Sequence, residues 1–147
     1  MSKGPKRSCM PTNKLPQKIA ARQHEITADF LRIIDRHLSD IVDGRVLEMY
    51  EIRDIADEMH IHPTHLSNTI KLATGKAPCF FFEEKIMRIA RAMLQANQRS
   101  IANIAMTLTF DPSNFTKFFK RFQGMTPKQY RESVLQEEWA KTELLTI

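Results

Sequence analysis

Apolar residues recur at helical spacing through most of residues 27–140, while the apolar/polar alternation of strands is hard to find. Starting at Thr27, the positions Phe30, Ile33, Ile34, Leu38 and Ile41 draw one apolar stripe, and Gly44 is its stop. This predicts a first long helix. A shorter one follows over Glu51–Met59, with Ile52, Ile55, Ala56 and Met59 facing inward. His60-Ile61-His62 then reads as a turn with one apolar anchor. Pro63 suits the first position of a helix whose Leu66, Ile70 and Ala73 point inward until Gly75 ends it. Pro78 bars easy continuation, after which Phe82, Ile86, Ile89, Ala90, Met93 and Leu94 mark a helix of roughly 16 residues, about 24 Å long. Ser100 is a good N-cap for a helix holding Ile101, Ile104, Ala105 and Leu108. Past the turn Thr109-Phe110-Asp111, Asp111 caps and Pro112 opens a helix with Phe115, Phe119 and Phe122 inward, ending at Gly124. Thr126-Pro127 starts a last helix through Tyr130, Val134 and Leu135. The expected fold is all-α, with about seven helices.

Within this pattern, residues 52–78 repeat in register 49 positions later, at residues 101–127. The pairs include Ile55/Ile104, Ala56/Ala105, Ile61/Phe110, Pro63/Pro112, Leu66/Phe115, Ile70/Phe119, Lys71/Lys120, Gly75/Gly124 and Pro78/Pro127. Matched positions are mostly apolar or helix punctuation, whereas the facing polar positions differ, as in Asn68 against Lys117 and His65 against Asn114. Each copy reads as helix, three-residue turn, helix. A small residue where two helices cross (Ala56, Ala105) and an apolar plug in the turn (Ile61, Phe110) make a helix-turn-helix. In such a unit the second helix presents its first two turns to the major groove of DNA. One scaffold used twice with two different faces suits an asymmetric DNA site.

The expected organisation is a disordered basic arm at residues 1–18, then an N-terminal helix with the first helix-turn-helix at 27–78. A connector helix at 79–97 leads to the second helix-turn-helix and closing helix at 98–135, followed by an acidic C-terminal extension at 136–147. A chain of 147 residues has room for one medium domain or two very small ones sharing a helix. Charge follows the same division. Residues 59–131 hold eleven Lys/Arg against three acids, a net +8, whereas residues 26–58 hold four against nine, a net −5. The arm adds +5 over residues 1–25 and the end −3 over 132–147, within a total of +5. Positive charge is therefore concentrated where a polyanion would bind. Cys9 and Cys79 have no C-x-x-C spacing and too few partners for a disulfide framework, which points to a reducing compartment. The longest apolar cluster, Cys79–Phe82, is far too short to span a bilayer, so a cytoplasmic protein is expected.

The chain resembles the DNA-binding domain of the AraC family of bacterial transcription regulators. The resemblance is carried by Ile52-x-x-Ile55-Ala56, Pro63-x-x-Leu66, Lys71 and Gly75 in the first copy. In the second it is carried by Ile101-x-x-Ile104-Ala105, Phe115, Phe119-Lys120, Gly124 and Thr126-Pro127-x-x-Tyr130-Arg131. It spans about residues 27–135. It implies seven helices, two helix-turn-helix units joined by a long helix, and double-stranded DNA as partner. With no room for the separate ligand-binding domain of most members, it implies a short form that activates promoters as a monomer, with RNA polymerase as a second partner. Two departures concern the turns: the family usually has Gly where this chain has His60 and Thr109, and Gly there permits positive φ. The second turn also reads one residue shorter than the family's.

By the same resemblance Thr64, Ser67 and Asn68 hold the base-facing positions of the first unit, matched by Ser113, Asn114, Thr116 and Lys117 in the second. Asn bonds adenine bidentately, Thr offers a hydroxyl and a methyl, and Lys reaches guanine O6 and N7 or a phosphate. Lys71, Lys120 and Arg121, later in these helices, together with His65 and Ser100, are the candidates for phosphate contacts that set register without reading sequence. His60, His62 and His65 lack a Cys or carboxylate to complete a metal site, and no metal or cofactor is expected. Most of the phenylalanines, at helical spacing, read as core, and Met87, Met93 and Met106 as core or gap fillers; Phe118 falls off the stripe, a place either partly exposed or packed on the final helix. The carboxylates Asp29, Asp35, Asp40 and Asp43 form an acidic face that suits a polymerase contact and equally suits solubility. There is no Gly-rich phosphate loop and no nucleophile–base arrangement, so the chain is not expected to be an enzyme. The rival reading is a protein-interaction module that binds another regulator or polymerase without reading bases.

Overall fold

Seven helices account for the regular structure of the described residues, which in this computed structural model are 17–146 for the backbone and 20–144 for the side chains. They are α1 (Gln17–Val42), α2 (Ile52–Met59), α3 (Pro63–Thr74), α4 (Pro78–Ala96), α5 (Ile101–Thr107), α6 (Pro112–Gln123) and α7 (Pro127–Thr146). The all-α expectation is met, and among the described residues there is no strand. No helix among them is long and apolar enough to cross a membrane.

Both ends of the chain depart from expectation. α1 begins at Gln17, ten residues ahead of Thr27, so Gln17 and Lys18 of the expected arm are helical; the rest of that arm lies outside the described residues. Residues 17–25 are rich in Ala, Arg, Gln and Glu, which favour helix without an apolar stripe. Arg22 and Glu25 add an i,i+3 pair at 3.4 Å. At the other end α7 runs through the acidic extension to Thr146, because nothing between Gln136 and Thr146 is Gly or Pro. Residues 136–144 are all exposed, so propensity rather than packing sustains that part of the helix.

The helices fall into two compact units, the described residues up to Ile34 with Glu51–Phe80, and Asp35–Tyr50 with Phe81 onward. α4, expected as a connector, thus packs from Phe81 onward with the second unit. In the first unit Ile26, Phe30, Ile33, Ile34, Ile55, Ala56, Leu66 and Ile70 are buried. In the second, Leu38, Ile41, Ile86, Met87, Ala90, Leu94, Ile104, Ala105, Leu108, Phe115, Phe119 and Tyr130 are. His37 is buried there too: its Nε2 accepts from the Tyr50 N–H at 2.9 Å and its ring stacks on Tyr50, which anchors the irregular segment after α1.

Three apolar assignments change. Phe118 is buried, its ring 5.0 Å from both Phe110 and Phe122, whereas Phe122 is 43% exposed and Met106 67% exposed. The Phe110 plug turns toward Phe118 as well as Phe115, so the apolar face of α6 swings toward the turn and leaves Phe122 at its rim.

The two helix-turn-helix corners repeat one backbone design. The Ile61 N–H reaches the Ala56 carbonyl at 3.0 Å, and the Phe110 N–H reaches that of Ala105 at 2.8 Å. The preceding residues, His60 and Thr109, donate to Asp57 and Met106 and stand at φ 60° and 68°. This is a Schellman closure with a side chain where glycine is favoured. The left-handed conformation costs an L residue about 1–2 kcal/mol, more for a β-branched one. Thr109→Gly is therefore expected to stabilise the protein by about 1 kcal/mol after the entropy lost by glycine, and His60→Gly by less. A rise in the urea midpoint at unchanged slope measures it; a lower midpoint would show that the Thr109 side chain makes contacts outweighing its strain.

Candidate nucleic-acid interface

Each second helix is fixed at both ends by its own sequence. In α3 the His62 Nδ1 accepts from the Thr64 N–H at 3.1 Å, Pro63 occupies the first position, and Gly75 closes the helix at φ 77°. In α6 Asp111 Oδ2 accepts from the Ser113 N–H at 3.1 Å, Pro112 follows, and Gly124 closes it at φ 83°. His62 is thus engaged as a helix cap.

Burial divides the two helices at matching positions. Leu66, Thr69 and Ile70 are buried in α3, and Phe115, Phe118 and Phe119 in α6. Opposite them, a step of four residues advances only about 40° around the axis, so residues i, i+4 and i+8 form a row. In α3 the row is Thr64, Asn68 and Leu72; in α6 it is Ser113, Lys117 and Arg121; all six are exposed. His65 and Asn114 flank these rows, also exposed, and on the other edge stand Ser67 with Lys71 and Thr116 with Lys120. The expected base-facing residues are thus gathered on one outward face within each unit. The Thr116 hydroxyl donates to the Pro112 carbonyl at 3.1 Å, which leaves its lone pairs and methyl to face outward partners.

The expected phosphate contacts are less uniform. Lys71 and Lys120 are exposed in the last turns of α3 and α6. Arg121 is engaged: its Nη2 lies 3.3 Å from Glu83 Oε2 and its guanidinium 4.8 Å from the centre of the Phe122 ring. Ser100, at the start of α5 rather than on α6, accepts from the Asn103 N–H at 3.0 Å. The start of α2 carries Glu51, whose N–H is taken by Asp54 at 2.7 Å. Glu51 also holds Arg53 at 2.9 Å, and that hydrogen bond, then the negative charge, raises the guanidinium above its ordinary pKa. Negative charge at this end leaves α2 ill suited to a phosphate.

The four carboxylates expected to form an acidic face, three on α1 and Asp43 just beyond it, are each paired with a cation. Asp29 pairs with Arg32 at 2.7 Å, Asp35 with Lys85 at 2.6 Å, and Asp40 and Asp43 with Arg45 at 3.3 and 3.5 Å. One residue of the α3 and α6 rows had no place among the sequence expectations: Leu72, 66% exposed, at the register of Arg121. The 49-residue repeat carried the signal, since it aligns a leucine with an outward arginine.

A family model described as a helix-turn-helix domain matches residues 55–133, more than half of the chain. The chain belongs to the AraC-type helix-turn-helix family of DNA-binding transcription regulators. An AraC-type relative, the HTH-type transcriptional regulator YobQ of Bacillus subtilis, is 26% identical over 98 residues, covering 66% of this chain and 41% of YobQ. The chain thus spans about two fifths of that relative's length. The C-terminal domain of AraT, a response regulator from Geobacillus stearothermophilus, superposes with a TM-score of 0.64 at 24% identity, over 74% of this chain and 84% of that one. The DNA-binding domain of AdpA, a global transcriptional factor solved with a target DNA, superposes with a TM-score of 0.55 at 20% identity, over 66% of this chain and 91% of that one. These two structures share the AraC-type fold with this chain.

Proposed function

We propose that this chain is a sequence-specific transcription activator that binds as a monomer, inserting α3 and α6 into successive major grooves of an asymmetric site. One observation carries the reading: two copies of one capped, equally buried scaffold present rows of different chemistry, Thr64-Asn68-Leu72 and Ser113-Lys117-Arg121. A twofold dimer would read two identical half-sites; this chain has two unlike faces and needs no second copy. Thr64, Ser67 and Asn68 read bases in one half-site, and Ser113, Asn114, Thr116 and Lys117 in the other. His65, Lys71, Ser100 and Lys120 meet phosphates, and Arg121 joins them when it exchanges Glu83 for the duplex. RNA polymerase is the protein partner and the cytoplasm the compartment of this reading.

Selection of bound duplexes from a random pool near physiological salt tests it. The expected result is an asymmetric motif with two blocks about one helical turn apart, and binding that weakens steeply as salt rises. A single block would assign reading to one unit. Absence of any motif, with retention insensitive to salt, would replace DNA reading by a protein-interaction role.

A further inference from the structure

We propose that Leu72 is a specificity-determining residue of the first unit, contacting the 5-methyl group of a thymine in the half-site that α3 reads. The inference rests on the DNA reading above and names a ligand group for one more side chain. Leu72 is 66% exposed, whereas Leu66, on the same helix, is fully buried. It ends the row Thr64-Asn68-Leu72, on the face opposite the buried Leu66, Thr69 and Ile70. In the second unit the same register holds Arg121, whose charge suits a phosphate or a guanine. A leucine suits neither. The apolar group that a major groove displays is the thymine methyl, and covering it removes both partners from water.

Register follows from the helix itself. Asn68 and Leu72 are four residues apart, about 6 Å along the axis. The thymine therefore lies within the same half-site as an adenine bonded by Asn68, close to it along the groove. The two units would then differ in kind: the second adds charge where the first adds an apolar contact.

The test uses a duplex enriched by the selection above. Each thymine of the α3 half-site is replaced in turn by uracil, which removes only the methyl, and Kd is measured for the wild-type chain and for Leu72→Ala. Because Leu72 is exposed and alanine favours helix, the variant should fold, and far-UV circular dichroism verifies it. One uracil is expected to weaken the wild-type complex about fourfold, the worth of one methyl group removed from water, and to leave the variant unchanged. Equal losses in both proteins at each thymine, or no loss at any, would overturn the role of Leu72 while leaving DNA reading intact. A variant that binds every duplex as tightly as wild type would also overturn it, and would assign the exposed leucine to a protein contact. If no duplex is enriched at all, both proposals fall together.

Discussion

Phe119→Ala is expected to cost about 3–5 kcal/mol of stability, the range for removing a buried aromatic ring from a core. The ring is fully buried, 5.9 Å from the centre of Phe115 and 5.5 Å from that of Tyr130, which meets it edge-on. Tyr130 lies on α7, and its hydroxyl accepts from Gln95 Nε2 of α4 at 2.8 Å. Phe119 therefore ties α6 to the elements behind it, and the cavity would open under the face that presents Lys117. Small domains hold only about 5–15 kcal/mol in all, so the second unit would lose much of its structure at moderate urea. Phe122→Ala, three residues on at a 43% exposed position, is expected to cost under about 1 kcal/mol. Urea unfolding followed by circular dichroism compares the two. Similar losses would mean that Phe122 closes the core in solution.

Lys117→Ala is expected to weaken binding to the selected site by about 10- to 100-fold, the worth of one bidentate base contact. It should also lower the slope of log affinity against log salt by about one. The side chain is exposed, at the centre of the α6 row, where nothing but its ligand would be disturbed. Asn68→Ala changes the matching position of α3 and removes no charge; it is expected to weaken binding by about 10-fold through the lost adenine contact, the low end of the same range, and to leave the salt slope unaltered. Titrations at several salt concentrations separate the effects. Equal losses from the two substitutions would show that the first unit reads as strongly as the second.

The turn residues show how far local chemistry carries. Pro63 and Pro112 open their helices, Asp111 and Ser100 cap theirs, and Gly75 and Gly124 end theirs, all as the sequence implied. The departure from glycine at His60 and Thr109 foretold a strained corner, and both residues stand at positive φ. Where no stripe or punctuation existed, reading stopped short. The start of α1 ahead of Ile26 and the end of α7 beyond Leu135 carry no apolar stripe, and their helix-favouring residues leave no signal in apolar periodicity. Phe118, off the expected stripe, is buried against the ring of Phe110 from the turn, while Phe122, expected inward, is left at the rim, a difference set by a contact that lies outside the helical period.

By itself the sequence determined the helices, their caps, the two corners, the 49-residue repeat and the outward sets Thr64-Ser67-Asn68 and Ser113-Asn114-Thr116-Lys117. These depend on bonds and contacts within a few residues, and on Pro, Gly and small polar side chains whose backbone preferences are strong. Tertiary structure alone decided what each outward charge is free to do. Arg121 is held by Glu83, 38 residues away, and Asp35 by Lys85, 50 residues away. Leu72 is left in solvent at the register where its counterpart is charged. The reason is range: a helix is specified by its neighbours in the chain, whereas a charged or apolar side chain acquires its partner from whichever element the packing brings beside it.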